Sequence, residues 1–84
     1  MKNSADLLLQ STQILELKIA ELVTLFPNVG NKFAWLEAIQ MTKERPSKCV
    51  EDAALAQYWV ALAKEGKLDV KMINGIGLLV GYRA

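Results

Sequence analysis

The sequence contains no histidine and one cysteine, Cys49, among its 84 residues. Without histidine, a single chain forms no Ser-His-Asp or Cys-His catalytic group, no imidazole metal site and no histidine pH switch. One cysteine excludes an internal disulfide and a cysteine-based zinc cluster, so the fold requires neither oxidation nor metal. We therefore expect a non-enzymatic protein with no cofactor.

Long apolar runs and an excess of one charge are also lacking. The longest uncharged stretches, 53–63 and 72–82, have eleven residues each, whereas a membrane-spanning helix needs about 20. Residues 1–6 are polar and include an acid, unlike a secretory signal. Ten basic and nine acidic residues give a formal charge of +1, without the basic excess of a dedicated nucleic-acid binder. We expect a cytoplasmic protein with no membrane segment.

Hydrophobic residues are abundant for so short a chain. They make up 52% of the sequence, and the mean hydropathy is +0.18. A domain of this size buries only about 60% of the surface of its unfolded chain, so part of the apolar surface needs another cover. We expect a partner protein, a second copy in a homodimer, or both, with first helices or ribbon edges paired across a two-fold axis.

Hydrophobic spacing predicts a mainly α fold: one domain over 1–84, with three helices and a C-terminal β-hairpin or ribbon. The first helix covers about 4–26, with Asn3 or Ser4 at its N-cap. Its side chains three and four residues apart define one apolar stripe. The members of that stripe are Leu8, Thr12, Leu15, Ile19, Leu22 and Phe26.

Proline, glycine and capping residues delimit two further helices, about 31–43 and 48–65. Asn31 and Ser47 stand at the predicted N-caps, and Gly66 stands at the C′ position of the third helix. The predicted core residues are Phe33, Leu36, Ile39, Val50, Leu55, Tyr58, Trp59 and Leu62, while Trp35 is assigned to either the core or a partner contact. The four aromatic residues Phe33, Trp35, Tyr58 and Trp59 are also candidate anchors for a partner, with the core favoured for Trp59. A second face of the third helix is small and lets another helix approach closely; it consists of Ala53, Ala56, Val60 and Ala63.

The pattern changes after Gly66, where apolar and charged residues alternate. This alternation predicts a strand from Leu68, and Asn74-Gly75 is a favoured two-residue hairpin turn before a returning strand. The predicted ribbon covers about 68–82. A two-stranded ribbon is marginally stable alone, so it must pack on the helices or pair with another chain.

No group of residues has the pattern of an active site. Glu51 and Asp52 are adjacent, and neighbouring helix residues diverge by about 100°. Gly75-Ile76-Gly77 lacks the third glycine of a dinucleotide fingerprint and the Gly-Lys-Ser/Thr of a phosphate loop. Cys49 lies near cations at a helix start, which can activate a thiolate; we expect a small buried side chain there, and an enzyme built on Cys49 is the third hypothesis.

Basic residues form two groups along the chain. Lys43, Arg45 and Lys48 surround the second interhelical loop, and a second group lies at the end of the third helix and on the ribbon: Lys64, Lys67, Lys71 and Arg83. Acidic neighbours also fit an ordinary solvated surface. Together with Trp35, these seven cations are the candidate contacts to a partner or to DNA.

The stretch from Tyr58 to Leu68, YWVALAKEGKL, resembles the last helix and first wing strand of winged-helix DNA-binding domains. The resemblance covers about the last third of the chain. It implies that Asn74-Gly75 is the wing tip and that Gly81-Tyr82-Arg83 ends the returning strand. It also implies duplex DNA as a partner.

Two functions follow from these observations. We expect a small regulatory or adaptor protein, of the inhibitor or accessory-factor type, that acts by binding a partner protein. The alternative is a winged-helix-like DNA-binding transcription regulator that uses the third helix and the ribbon. Steep salt dependence of DNA binding separates the second function from the first.

Overall fold

The computed structural model describes residues 4–42, 49–73 and 77–83, with side chains described for 9–42, 50–73 and 77–83. The helices are α1 (Ser4–Leu25), α2 (Lys32–Thr42) and α3 (Cys49–Lys64), and the strands are β1 (Leu68–Ile73) and β2 (Gly77–Tyr82). The two strands are antiparallel neighbours. The predicted mainly α fold with a C-terminal hairpin is confirmed, and each helix ends within one residue of its predicted bounds.

Local hydrogen bonds explain two of the predicted helix ends. The Asn31 Oδ1 atom accepts a hydrogen bond of 2.9 Å from the Phe33 backbone N–H, which makes Asn31 the N-cap of α2. At the end of α3, Lys67 N–H donates to Leu62 O and Gly66 N–H donates to Ala63 O. These two bonds form a Schellman motif, with Gly66 at a φ of 74°. Asn3, Ser47 and the Asn74-Gly75 turn lie outside the described residues.

The core lies mainly between α1 and α3. From α1 it takes Leu15, Ile19 and Leu22, and from α3 it takes the face of small residues, including the fully buried Ala56. Because alanine projects only a methyl group, this face permits the close helix approach that the sequence predicts. The same cluster continues into α2 and β1 through Trp35, Ala38, Ile39 and Leu68.

Three aromatic rings fill the centre of this core. Trp35 and Trp59 have no exposed surface; their ring centroids are 6.1 Å apart in an edge-on arrangement, and Phe26 packs 5.6 Å from Trp35. Trp35 is therefore a core residue, and its side chain offers no surface to a partner. Of the two assignments that the sequence left open for Trp35, the core and a partner contact, its burial agrees with the core.

Three predicted core residues lie on the surface instead. The exposed fractions of their side chains are 68% for Phe33, 53% for Tyr58 and 38% for Val50. Positions two apart on a helix are separated by about 200°, so Trp35 in the core directs Phe33 to the outside of α2. Neighbouring helix residues diverge by about 100°, so Trp59 in the core directs Tyr58 toward the surface of α3.

The hairpin packs one face on the helices. Its inward residues are Leu68, Val70, Leu78 and Val80, all part of the core or packed against it. At the end of the ladder away from the turn, Arg83 N–H donates a hydrogen bond of 2.7 Å to Lys67 O. The indole Nε1 of Trp59 donates to the Tyr82 hydroxyl at 3.1 Å, which ties β2 to α3. The ribbon is thus covered within the chain, as the first of the two predicted arrangements requires.

Candidate functional site

An apolar groove of about 840 Å³ lies between α1 and the beginning of α2. Its apolar lining includes Leu15, Ile19, Val23 and Leu36, and the chain from Gly30 to Phe33 forms one wall. Leu15 and Ile19 are core residues that reach the floor of the groove. This volume is in the range of binding sites, about 300–1,000 Å³. We call this feature the α1–α2 groove.

The periodicity of α1 produces the groove. Thr12, Glu16, Ile19 and Val23 recur at spacings of three and four residues, so they form one line along the helix. The neighbouring line, which includes Ser11 and Leu22, is buried in the core. Ile19 on the groove line also belongs to the core, with 7% of its surface exposed, so the floor of the groove is the outer edge of the core, and Thr12 and Glu16 are exposed above it.

The rim of the groove carries an exposed aromatic ring and two opposite charges. Phe33 is 68% exposed, and the Lys32 Nζ atom lies 5.8 Å from the centre of its ring, within cation–π range. Glu16 lines the α1 side of the groove and Lys32 lines the α2 side. Among the described residues, neither charge forms an ion pair.

A smaller aromatic patch lies where α3 meets the hairpin. The rings of Tyr58 and Tyr82 pack edge-on with centroids 6.0 Å apart, and their exposed fractions are 53% and 54%. Tyr82 also accepts the hydrogen bond from Trp59. This patch thus has a structural task, the attachment of β2, that the α1–α2 groove lacks.

The described cations among the candidate contacts are exposed, and three of the four lie beside carboxylates. Lys64 Nζ is 3.4 Å from Glu21, and Lys67 Nζ is 3.6 Å from Glu65. Arg83 pairs with Asp69 across the hairpin. Lys71 stands on the outward face of β1. Lys43, Arg45 and Lys48 lie outside the described residues.

These pairs change the acidity of the carboxyl groups involved. The hydrogen bond from Lys18, 3.1 Å away, is the main cause that lowers the pKa of Glu21, and Lys64 adds to it. The hydrogen bond from Arg83 lowers the pKa of Asp69, and the same bond raises the pKa of Arg83. Three of the four cations of the second basic group therefore lie beside a carboxylate, and Lys64 shares Glu21 with Lys18.

The structure places the two adjacent acids on different sides of α3: Glu51 is exposed and Asp52 is buried. In the parts of the chain that the structure describes, no three histidine, cysteine, aspartate or glutamate side chains converge on a metal position. Of the helices described, none has the length and apolarity to cross a membrane. Cys49 is the first residue of α3, and its side chain lies outside the described set.

Sequence reasoning missed the groove and its rim. It counted Phe33 both as a core residue and as one of four aromatic anchors for a partner, and it assigned no partner contact to Glu16 or Lys32. The available signal was the width of the apolar surface of α1, which Val23 extends beyond the stripe that contains Leu15, Ile19 and Leu22. The angle at which α2 leaves α1, which opens the groove, is set by tertiary packing.

Comparison with protein-family models, with curated proteins and with solved structures finds no match in any of the three. The chain does have helices followed by a hairpin, the order that the winged-helix resemblance implies. Many helix-to-hairpin junctions share that order, so it does not identify the family. The winged-helix assignment stays a prediction.

Proposed function

We propose that this chain is a non-enzymatic regulatory or adaptor protein that acts by binding a partner protein in the α1–α2 groove. The observation that carries the proposal is an apolar groove of about 840 Å³ with a phenylalanine, 68% exposed, at its rim. Exposed apolar surface framed by polar residues is typical of interaction sites. Aromatic side chains are the most frequent anchors at such sites.

The shape of the groove suits a helical segment of a partner. The line from Thr12 to Val23 on α1 spans about 16 Å at 1.5 Å per residue, which is three helical turns. An amphipathic helix fills such a groove with apolar side chains at positions i, i+3 or i+4, and i+7. Glu16 on one wall and Lys32 on the other favour one orientation of that helix, since each pairs with the opposite charge.

The DNA-binding alternative has less support from the charges. Lys64, Lys67 and Arg83 each lie beside a carboxylate, so a phosphate must compete with an acid already in place. The formal charge of +1 gives little long-range attraction for DNA. A winged-helix-like regulator is therefore the second function, and the DNA experiment in the Discussion tests it.

The test compares two substitutions at nearly equal exposure. Phe33 at the groove is 68% exposed, and Leu17 on the other side of α1 is 66% exposed. Wild type, Phe33→Glu and Leu17→Glu are immobilised, and proteins from a cell extract that are retained by wild type and Leu17→Glu but lost with Phe33→Glu are identified. Each is then purified and titrated against the three forms by calorimetry.

We expect Phe33→Glu to weaken binding of the purified partner by at least about tenfold, since it places a charge at an apolar anchor. Leu17→Glu should leave the affinity unchanged. Equal helical content of the three forms by circular dichroism shows that folding is not the cause. A partner that binds Phe33→Glu as tightly as wild type would overturn the assignment of the groove.

A further inference from the structure

The α1–α2 groove has complementary features next to one another. Phe33 projects beside an apolar channel, and an anion and a cation stand on opposite walls. We propose that in the free protein a second copy of this chain occupies the groove about a two-fold axis. Phe33 of each copy enters the groove of the other, and Glu16 of each copy pairs with Lys32 of the other. The inference rests on the proposed function, since both place a protein in the same groove. A partner protein then binds by displacing the second copy.

The two charges at the groove make it self-complementary. In a two-fold interface, if residue i of one copy contacts residue j of the other, then j also contacts i. A single Glu16–Lys32 contact therefore produces two ion pairs. Both groups lie at the groove, and the ion pairs within the described chain use other residues. Each copy thus supplies the anion of one ion pair and the cation of the other.

The apolar surface is self-complementary in the same way. Phe33 is the projection and the channel between α1 and α2 is the recess. Leu9, 59% exposed, lies one turn before Thr12, toward the start of α1. A second copy related by a two-fold axis covers Phe33, the channel and Leu9 together.

The experiment is a charge swap read by analytical ultracentrifugation across the micromolar to hundreds-of-micromolar range. Wild type should sediment at twice the 9.3 kDa mass of the chain. Glu16→Lys alone sets two positive side chains against each other at both pairs, and Lys32→Glu alone sets two negative ones. Each variant should dimerise at least about tenfold more weakly than wild type.

Mixing the two charge variants gives the decisive result. In the mixed dimer both pairs again join a positive and a negative side chain, so an equimolar mixture should form a heterodimer although each variant alone is mainly monomeric. Leu17→Glu is the matched control and should remain a dimer. Phe33→Glu should be a folded monomer.

Three results would overturn the inference: a monomeric wild type over the whole range, a dimer that neither charge variant weakens, or a mixture that does not recover dimers. None of these decides the proposed function. That function fails only if the purified partner binds Phe33→Glu as well as wild type, which the calorimetric titration measures separately.

Discussion

At the scale of single residues, the two buried tryptophans differ in what their indole N–H groups contact. Trp59 Nε1 donates to the Tyr82 hydroxyl at 3.1 Å, while Trp35 Nε1 has no hydrogen-bond partner within the part of the chain that the structure describes. A buried donor without an acceptor costs about 1–3 kcal/mol. The Tyr82 hydroxyl therefore stabilises the fold by removing this penalty at Trp59.

Tyr82→Phe should lower the free energy of unfolding by about 1 kcal/mol, because Trp59 Nε1 loses its acceptor while the aromatic packing is kept. Tyr58→Phe is the matched control, since Tyr58 and Tyr82 are 53% and 54% exposed and their rings contact each other. It should change stability by less than half as much. Urea unfolding followed by circular dichroism measures both, and equal effects would show that the Trp59–Tyr82 bond contributes nothing.

At the scale of elements, the glycine after α3 sets the direction of the hairpin. Gly66 has a φ of 74°, and the two hydrogen bonds of the Schellman motif pass around it. The chain then enters β1 at Leu68, whose side chain is buried in the core. A side chain at Gly66 meets no other atom within 4 Å, so its effect comes from the backbone conformation alone.

Gly66→Ala should destabilise the fold by about 1 kcal/mol, since L-residues are disfavoured at positive φ. Gly30→Ala is the control: it also meets no atom within 4 Å, and its φ is outside the positive region. It should be neutral or stabilise by about 0.4–1 kcal/mol, because alanine restricts the unfolded chain. The melting temperatures of the two variants should therefore move apart, and a loss of stability at both positions would contradict the backbone explanation.

The elements were predictable where local chemistry determines them. Asn31 and Gly66 indicate helix ends because each takes part in a hydrogen bond that caps its helix. The alternation after Leu68 indicates a strand. The inward faces of the helices were less predictable, because a spacing of three or four residues fits both Phe33 and Trp35. The choice depends on how Trp35 packs against Phe26 and Trp59, residues distant in sequence. The groove depends on those same contacts, so its site residues could not be predicted.

At the scale of the whole molecule, the α1–α2 groove and the second basic group are two different kinds of surface. The α1–α2 groove carries Phe33 and an apolar channel. At the other end of the sequence, Lys64, Lys67 and Arg83 are held beside carboxylates. A carboxylate within a few ångströms of each of these three cations weakens the attraction of this surface for polyanions.

The carboxylates beside Lys64, Lys67 and Arg83 predict weak binding to duplex DNA. In fluorescence anisotropy with a mixed-sequence duplex, titrated between about 50 and 200 mM salt, wild type should show no saturable binding. Asp69→Asn, which releases Arg83 from its carboxylate, should bind more strongly than wild type at the low-salt end. Glu51→Gln is the control, an equal change of net charge at an exposed position on α3, and its gain should be smaller. Tight wild-type binding that collapses with salt and weakens in Lys71→Gln would instead assign the function to a winged-helix-like regulator.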